Sequence, residues 1–73
     1  MYSVNILYDD GKTFTCNNVV SIQYDDANGI VTVPAEKFSN HRFPIPRTYW
    51  LQTQDGMCVA NLTGMRIFEL IKN

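Results

Sequence analysis

The feature that most constrains the fold is a hairpin signal in the middle of the chain, VVSIQYDDANGIVTV at residues 19–33. Its first half alternates apolar with polar side chains and places Val20, Ile22 and Tyr24 on one face, which is the period of a half-buried strand. An Asn-Gly pair follows, and both residue types adopt positive φ at low cost. A β-branched run then returns and ends at a proline. The segment predicts two antiparallel strands against which the other strands pair.

The remaining sequence repeats this pattern of short strands and turns. Asp-Gly pairs at residues 10–11 and 55–56 are turn signals. Further strands are predicted at residues 2–8, 13–16, 48–54, 57–62 and 65–71. Asn17-Asn18 predicts a break between two of these strands. Residues 65–71 fit both a helix and a strand, and the strand is favoured because so short a helix is marginal alone.

These elements predict a single all-β domain over residues 1–73. About six short strands at this chain length indicate either a small SH3-like or Sm-like barrel or a strongly bent antiparallel sheet. Residues 35–46 lack a clear period and predict a crossing loop, with one helical turn near residues 35–38.

Charge and hydropathy argue against several classes of partner. The net charge is −1, which gives no overall attraction to nucleic acid or to an anionic membrane. The charge is uneven, however, because residues 1–36 carry −4 and residues 37–54 carry +3. No apolar run is long enough to span a membrane, and the first residues lack the basic and apolar regions of a secretory signal. The sequence therefore predicts a cytoplasmic location without membrane contact.

Residues able to perform catalysis or to hold a metal are sparse. His41 is the only histidine, and Cys16 and Cys58 lie far apart rather than in a CxxC pair. Neither cysteine has a sequence neighbour that marks it as a nucleophile, and glycine-rich phosphate loops are absent. We therefore predict no cofactor, no metal site and no enzymatic activity. The two cysteines are interpreted as small core residues, with a disulfide as the alternative.

The most suggestive segment for function is residues 37–50, KFSNHRFPIPRTYW. It contains half of the basic residues, the only histidine and the only tryptophan. The candidate partner-binding residues in it are Lys37, His41, Arg42, Phe43, Arg47, Tyr49 and Trp50. Basic and aromatic residues together bind single-stranded nucleic acid, and the same types are enriched at protein interfaces. In the alternative interpretation, the aromatic rings fold the loop onto a thin core while the arginines face water.

The leading hypothesis for function is a non-catalytic interaction module that binds another protein or a second copy of itself. The contact would be made through a strand edge or through residues 37–50. A small-barrel nucleic-acid-binding protein that uses the same loop is the alternative, and the acidic pI of about 5.6 argues against it. An enzyme or enzyme subunit would need a partner to complete its pocket.

Overall fold

A computed structural model describes all residues, 1–73. It contains six β-strands and one short 3-10 helix. The strands are β1 (Tyr2–Tyr8), β2 (Thr13–Asp26), β3 (Gly29–Pro34), β4 (Thr48–Thr53), β5 (Met57–Asn61) and β6 (Met65–Lys72), and the 3-10 helix spans Ala35–Asn40. The all-β prediction is confirmed, and so is the choice of a strand at the C-terminus. No helix has the length and apolar character needed to cross a membrane.

The 14-residue strand β2 organises the sheet, since three other strands pair with it. Val19 pairs with both β1 and β4, and Ile22 pairs with both β3 and β4. Strands β1 and β3 therefore lie end to end along one edge of β2, and β4 lies along the other edge. Strand β6 then extends the sheet beyond β1, and β5 extends it beyond β4, with antiparallel pairing throughout.

Two irregularities bend β2 and correct the predicted strand boundaries. The expected break at Asn17-Asn18 is a β-bulge inside one continuous strand, because these two residues stand opposite the single residue Ser3. Asn18 adopts a left-handed φ of 59°, and the Ser3 hydroxyl donates to Asn17 Oδ1 at 3.0 Å. A second register shift lies at Val20. The Val19 side chain is directed into the core, and the Val20 side chain is half-buried. The predicted facing of Val20 is therefore wrong, whereas Ile22 and Tyr24 are buried as expected.

The sheet bends strongly enough to bring its two ends together without closing into a barrel. Strands β5 and β6 occupy opposite ends of the strand order, yet only residues 62–64 connect them. The rings of Tyr49 on β4 and Phe68 on β6 lie 5.3 Å apart, although two strands separate β4 from β6 in the sheet. The Tyr8 hydroxyl on β1 also donates to the Asn61 carbonyl on β5 at 2.5 Å. Of the two predicted architectures, the bent sheet is the one observed.

The concave side of the sheet encloses a single core of 12 buried side chains. Its members come from every strand except β6, together with Phe38 of the 3-10 helix and Leu62. From β6, Met65, Phe68 and Leu70 pack against this core from one side. Burial of this apolar surface is the main favourable term in folding, and the conversion is roughly 25 cal/mol per Å². The small core leaves several large apolar side chains on the outer surface.

Candidate interaction loop

The seven predicted partner-binding residues lie on three successive elements rather than on one continuous loop. Lys37 belongs to the 3-10 helix, residues 41–47 have no regular structure, and residues 48–50 begin β4. We call residues 41–47 the interaction loop. The loop is joined to the sheet at its end by a backbone hydrogen bond from Leu62 N–H to the Arg47 carbonyl, at 2.8 Å.

The aromatic side chains of the segment pack between the interaction loop and the core. The Phe43 ring packs edge-on against His41 at 4.7 Å, Phe38 at 5.9 Å and Tyr49 at 6.1 Å. Tyr24 completes the cluster, since its ring lies 5.9 Å from that of Tyr49. Edge-on pairs of this kind stabilise by about 0.5–1.5 kcal/mol beyond the burial of their surface. The rings therefore fix the loop to the core, as the alternative interpretation expected for Phe38 and Phe43.

Two side-chain hydrogen bonds hold the loop at defined points. The Tyr49 hydroxyl donates to the Pro44 carbonyl, and the Tyr24 hydroxyl and His41 Nε2 are 2.8 Å apart. Tyr49 is almost completely buried. Burial, with a contribution from nearby Tyr24, raises the pKa of Tyr49 from 10.0 to about 12. Tyr49 therefore stays protonated and can donate at every physiological pH.

Lys37, Arg42 and Arg47, the basic residues of the segment, all have exposed side chains. The most exposed large apolar side chain of the protein lies between the two arginines: Ile45 is 75% exposed. Sequence reasoning did not include Ile45 among the candidate residues, although the Pro-Ile-Pro sequence around it is a visible signal. Each proline fixes its own φ and also restricts the residue before it to extended geometry. Ile45 is therefore presented to solvent by a stiff backbone.

Shallow grooves flank the loop on two sides. One of about 260 Å³ lies between the loop and the start of β6, and its lining includes Pro44, Ile45, Met65 and Arg66. The other, of about 370 Å³, is lined by Asp25, Pro46, Arg47, Thr48 and Trp50. Trp50 is half-buried and lies on the opposite face of β4 from Tyr49, so it is not part of the aromatic cluster. The two candidate residues on β4, Tyr49 and Trp50, are thus on opposite faces of that strand.

The other chemically interesting side chains form no recognisable catalytic arrangement. The largest groove, of about 450 Å³, lies away from the loop and is lined by residues of the turn after β1, including Asp9, Asp10 and Lys12. Asp10 is used locally, since its carboxylate accepts from the Lys12 backbone N–H at 2.9 Å. No group of three or more His, Cys, Asp or Glu side chains is placed to hold a metal ion.

The two cysteines are neighbours in space although 41 residues separate them in the chain. Both are free thiols; Cys16 is buried in the core, and the half-buried Cys58 packs against the same core. Burial, together with the Cys58 thiol, raises the pKa of Cys16 from 9.0 to about 12. A thiol with a raised pKa is a poor nucleophile, because the thiolate is the reactive form.

Comparisons with protein-family models, with curated proteins and with solved structures found no match to this chain.

Proposed function

We propose that the protein is a non-catalytic protein-interaction module that binds a partner protein through the interaction loop. The observation that carries the proposal is Ile45, which is 75% exposed and stands between two prolines on a loop fixed to the core. Because the backbone that carries Ile45 is already restricted, binding costs little backbone conformational entropy. We also propose that the protein is located in the cytoplasm, where cysteines remain thiols.

The charges around Ile45 indicate the chemistry of the partner. Arg42 and Arg47 flank it in sequence, and Arg66 lines the same groove. Arginine is enriched at interface hot spots, and its planar group pairs with two carboxylate oxygens at once. A complementary partner surface would contain an apolar pocket for Ile45, bordered by aspartate or glutamate side chains.

The same geometry gives less support to the nucleic-acid alternative. Binding of single strands requires rings that are free to stack on bases. Phe43 and Tyr49 instead pack edge-on within the aromatic cluster, and Trp50 shares its groove with the carboxylate of Asp25. The protein-interaction hypothesis therefore remains ahead of the nucleic-acid hypothesis.

The test compares two variants in affinity capture from a lysate of the native source. Ile45→Asp places a charge on the interaction loop, and Ile30→Asp is the matched control, since Ile30 is 66% exposed and lies on β3. We expect a partner that the wild type and Ile30→Asp retain and that Ile45→Asp loses by at least tenfold. The purified partner should then show the same ranking in a direct titration.

Two results would contradict the proposal. The first is equal retention of every captured protein by all three forms. The second is the absence of any captured protein, together with amide NMR shifts at Arg42, Arg47 and the Trp50 indole when mixed short oligonucleotides are added at low salt. If those shifts disappeared at high salt, the nucleic-acid alternative would take precedence.

A further inference from the structure

Strand β5 is a free sheet edge that carries neither charge nor proline against pairing, and only its Asn61 end is capped, by the Tyr8 hydroxyl. It is the last strand of the sheet beside β4, and its sequence, MCVAN, contains no charged residue and no proline. Natural edge strands are normally protected by charges, prolines, bulges or covering segments. The other two free edges have such features. Strand β6 carries Arg66, Glu69 and Lys72, whereas β3 ends in Pro34 and has the 3-10 helix packed beside it.

The hydrogen bonds of β5 show which of its backbone groups face outwards. Thr53 N–H donates to the Gly56 carbonyl, and Leu62 N–H donates to the Arg47 carbonyl. Because hydrogen-bonded pairs alternate along an antiparallel ladder, the even-numbered residues of β5 direct their backbone groups to β4. Those of Met57, Val59 and Asn61 therefore point away from β4. The Tyr8 hydroxyl bound to the Asn61 carbonyl is consistent with this direction.

The side chains of these outward-facing positions add an apolar surface beside the edge. Val59 is 59% exposed and Met57 is 52% exposed, both on the outer face of the sheet. Val59 pairs with Trp50 on β4, so an apolar row on this face runs from Trp50 to the free edge. A second copy of β5, paired antiparallel about Val59, would continue this row as Trp50-Val59-Val59-Trp50 across the dimer.

We propose that two copies of the chain associate through β5, paired antiparallel with Val59 opposite Val59. In this register Val59 bonds with its symmetry mate, and Met57 of each copy bonds with Asn61 of the other. Every outward-facing N–H and carbonyl of the strand then has a partner, with the Asn61 carbonyl shared between the Tyr8 hydroxyl of its own chain and the Met57 N–H of the other copy, and no charged pair is opposed. A two-fold arrangement uses the same surface on both copies and leaves this edge closed to further pairing. The proposal names a second partner surface for the interaction module, separate from the loop.

The experiment is sedimentation equilibrium of the wild type and two variants from about 10 μM to about 1 mM, a range suited to a small interface. We expect the wild-type mass to rise from 8.4 kDa towards twice that value. Val59→Lys should remain monomeric, since the pairing would place two ammonium groups opposite each other. The matched control Ile30→Lys, also an exposed apolar residue on an edge strand, should dimerise like the wild type.

Amide hydrogen exchange of the wild type gives a second readout that needs no variant. Val59 N–H should become at least tenfold slower to exchange at high concentration, whereas N–H groups that already bond to β4 should change little. A wild type that stays monomeric at about 1 mM, or dimers of Val59→Lys as stable as those of the wild type, would overturn the proposal. Equal loss of dimerisation in Ile30→Lys would also overturn it. Ile45→Asp should dimerise normally, so the two proposals fail independently.

Discussion

The Tyr49 hydroxyl should stabilise the protein at neutral pH and destabilise it at alkaline pH. The perturbation that reveals this is Tyr49→Phe, which removes only the hydroxyl that donates to the Pro44 carbonyl. A hydrogen bond of this kind contributes about 1 kcal/mol to stability. Pro44 is exposed, so water can take the place of the lost donor and no unsatisfied carbonyl remains. The variant should therefore be about 1 kcal/mol less stable than the wild type at pH 7.

The sign of the effect reverses because the pKa of Tyr49 is about 12 in the folded protein and 10.0 when exposed to water. Between these values the unfolded chain releases the proton and the folded chain retains it. The free energy of unfolding of the wild type then falls with rising pH, by at most about 1.4 kcal/mol per unit. This contribution is complete below pH 10 and is lost as the pH approaches 12. Tyr49→Phe lacks it, so the two stability curves should cross near about pH 11.

The assay is urea unfolding followed by the fluorescence of Trp50, the only tryptophan, from pH 7 to about 11.5. All other ionisable groups are common to both proteins, so those that do not interact with Tyr49 cancel in the difference, and Tyr24 is the one named neighbour that does interact with it. Tyr8→Phe is the control, because it also loses a hydroxyl bonded to a backbone carbonyl but retains Tyr49. Its curve should stay below that of the wild type without crossing it. Parallel curves for Tyr49→Phe would refute the argument that burial of this hydroxyl links ionisation to folding.

Two further predictions concern β2. Asn18→Gly should change the free energy of unfolding by only a few tenths of a kcal/mol. Asn18→Val should lower it by about 1–2 kcal/mol, because a β-branched residue resists the left-handed φ of 59° at this exposed bulge. Equal urea midpoints for the two variants would contradict the role given to the bulge. Cys16→Ala should lower stability at neutral pH, because it opens a small cavity. From pH 9 upwards, the stability of this variant should fall less steeply than that of the wild type, because the pKa of Cys16 is raised from 9.0 to about 12 and the variant lacks this thiol. An unchanged slope in pH-dependent urea titrations would be the contrary result.

The local signals in the sequence predicted the strands well where one face of a strand is buried. Val4 and Ile6 on β1, and Ile22 and Tyr24 on β2, alternate in the sequence and are buried in the structure. The prediction was wrong where two predicted strands are one continuous strand, β2. Asn17-Asn18 has the composition of a turn, but Val19 pairs with β1 on one side and β4 on the other, and these pairings keep the strand continuous through a bulge.

The candidate site could be predicted only in part. The concentration of basic and aromatic residues singled out residues 37–50, in which Arg42 and Arg47 have exposed side chains, and the partner-binding role of this segment remains a prediction. Side chains alternate between the two faces of β4, so the Tyr49 ring points into the core and the Trp50 ring points outwards. The role proposed for Ile45 rests on its exposure, and the role proposed for Val59 rests on the position of β5 at the end of the sheet. The prolines beside Ile45 are a local signal of a stiff, extended backbone, whereas the residues beside Val59 do not indicate that β5 is an edge strand.

The sequence by itself determined the fold class and most of the strands and turns, because alternation and turn chemistry act between residues close in the chain. The tertiary structure alone decided the order of the strands, the contact between Cys16 and Cys58 and the identity of the unprotected edge. These features depend on how a bent sheet brings distant segments together. Many sequences with the same local pattern satisfy different pairings, and the packing of one small core selects among them.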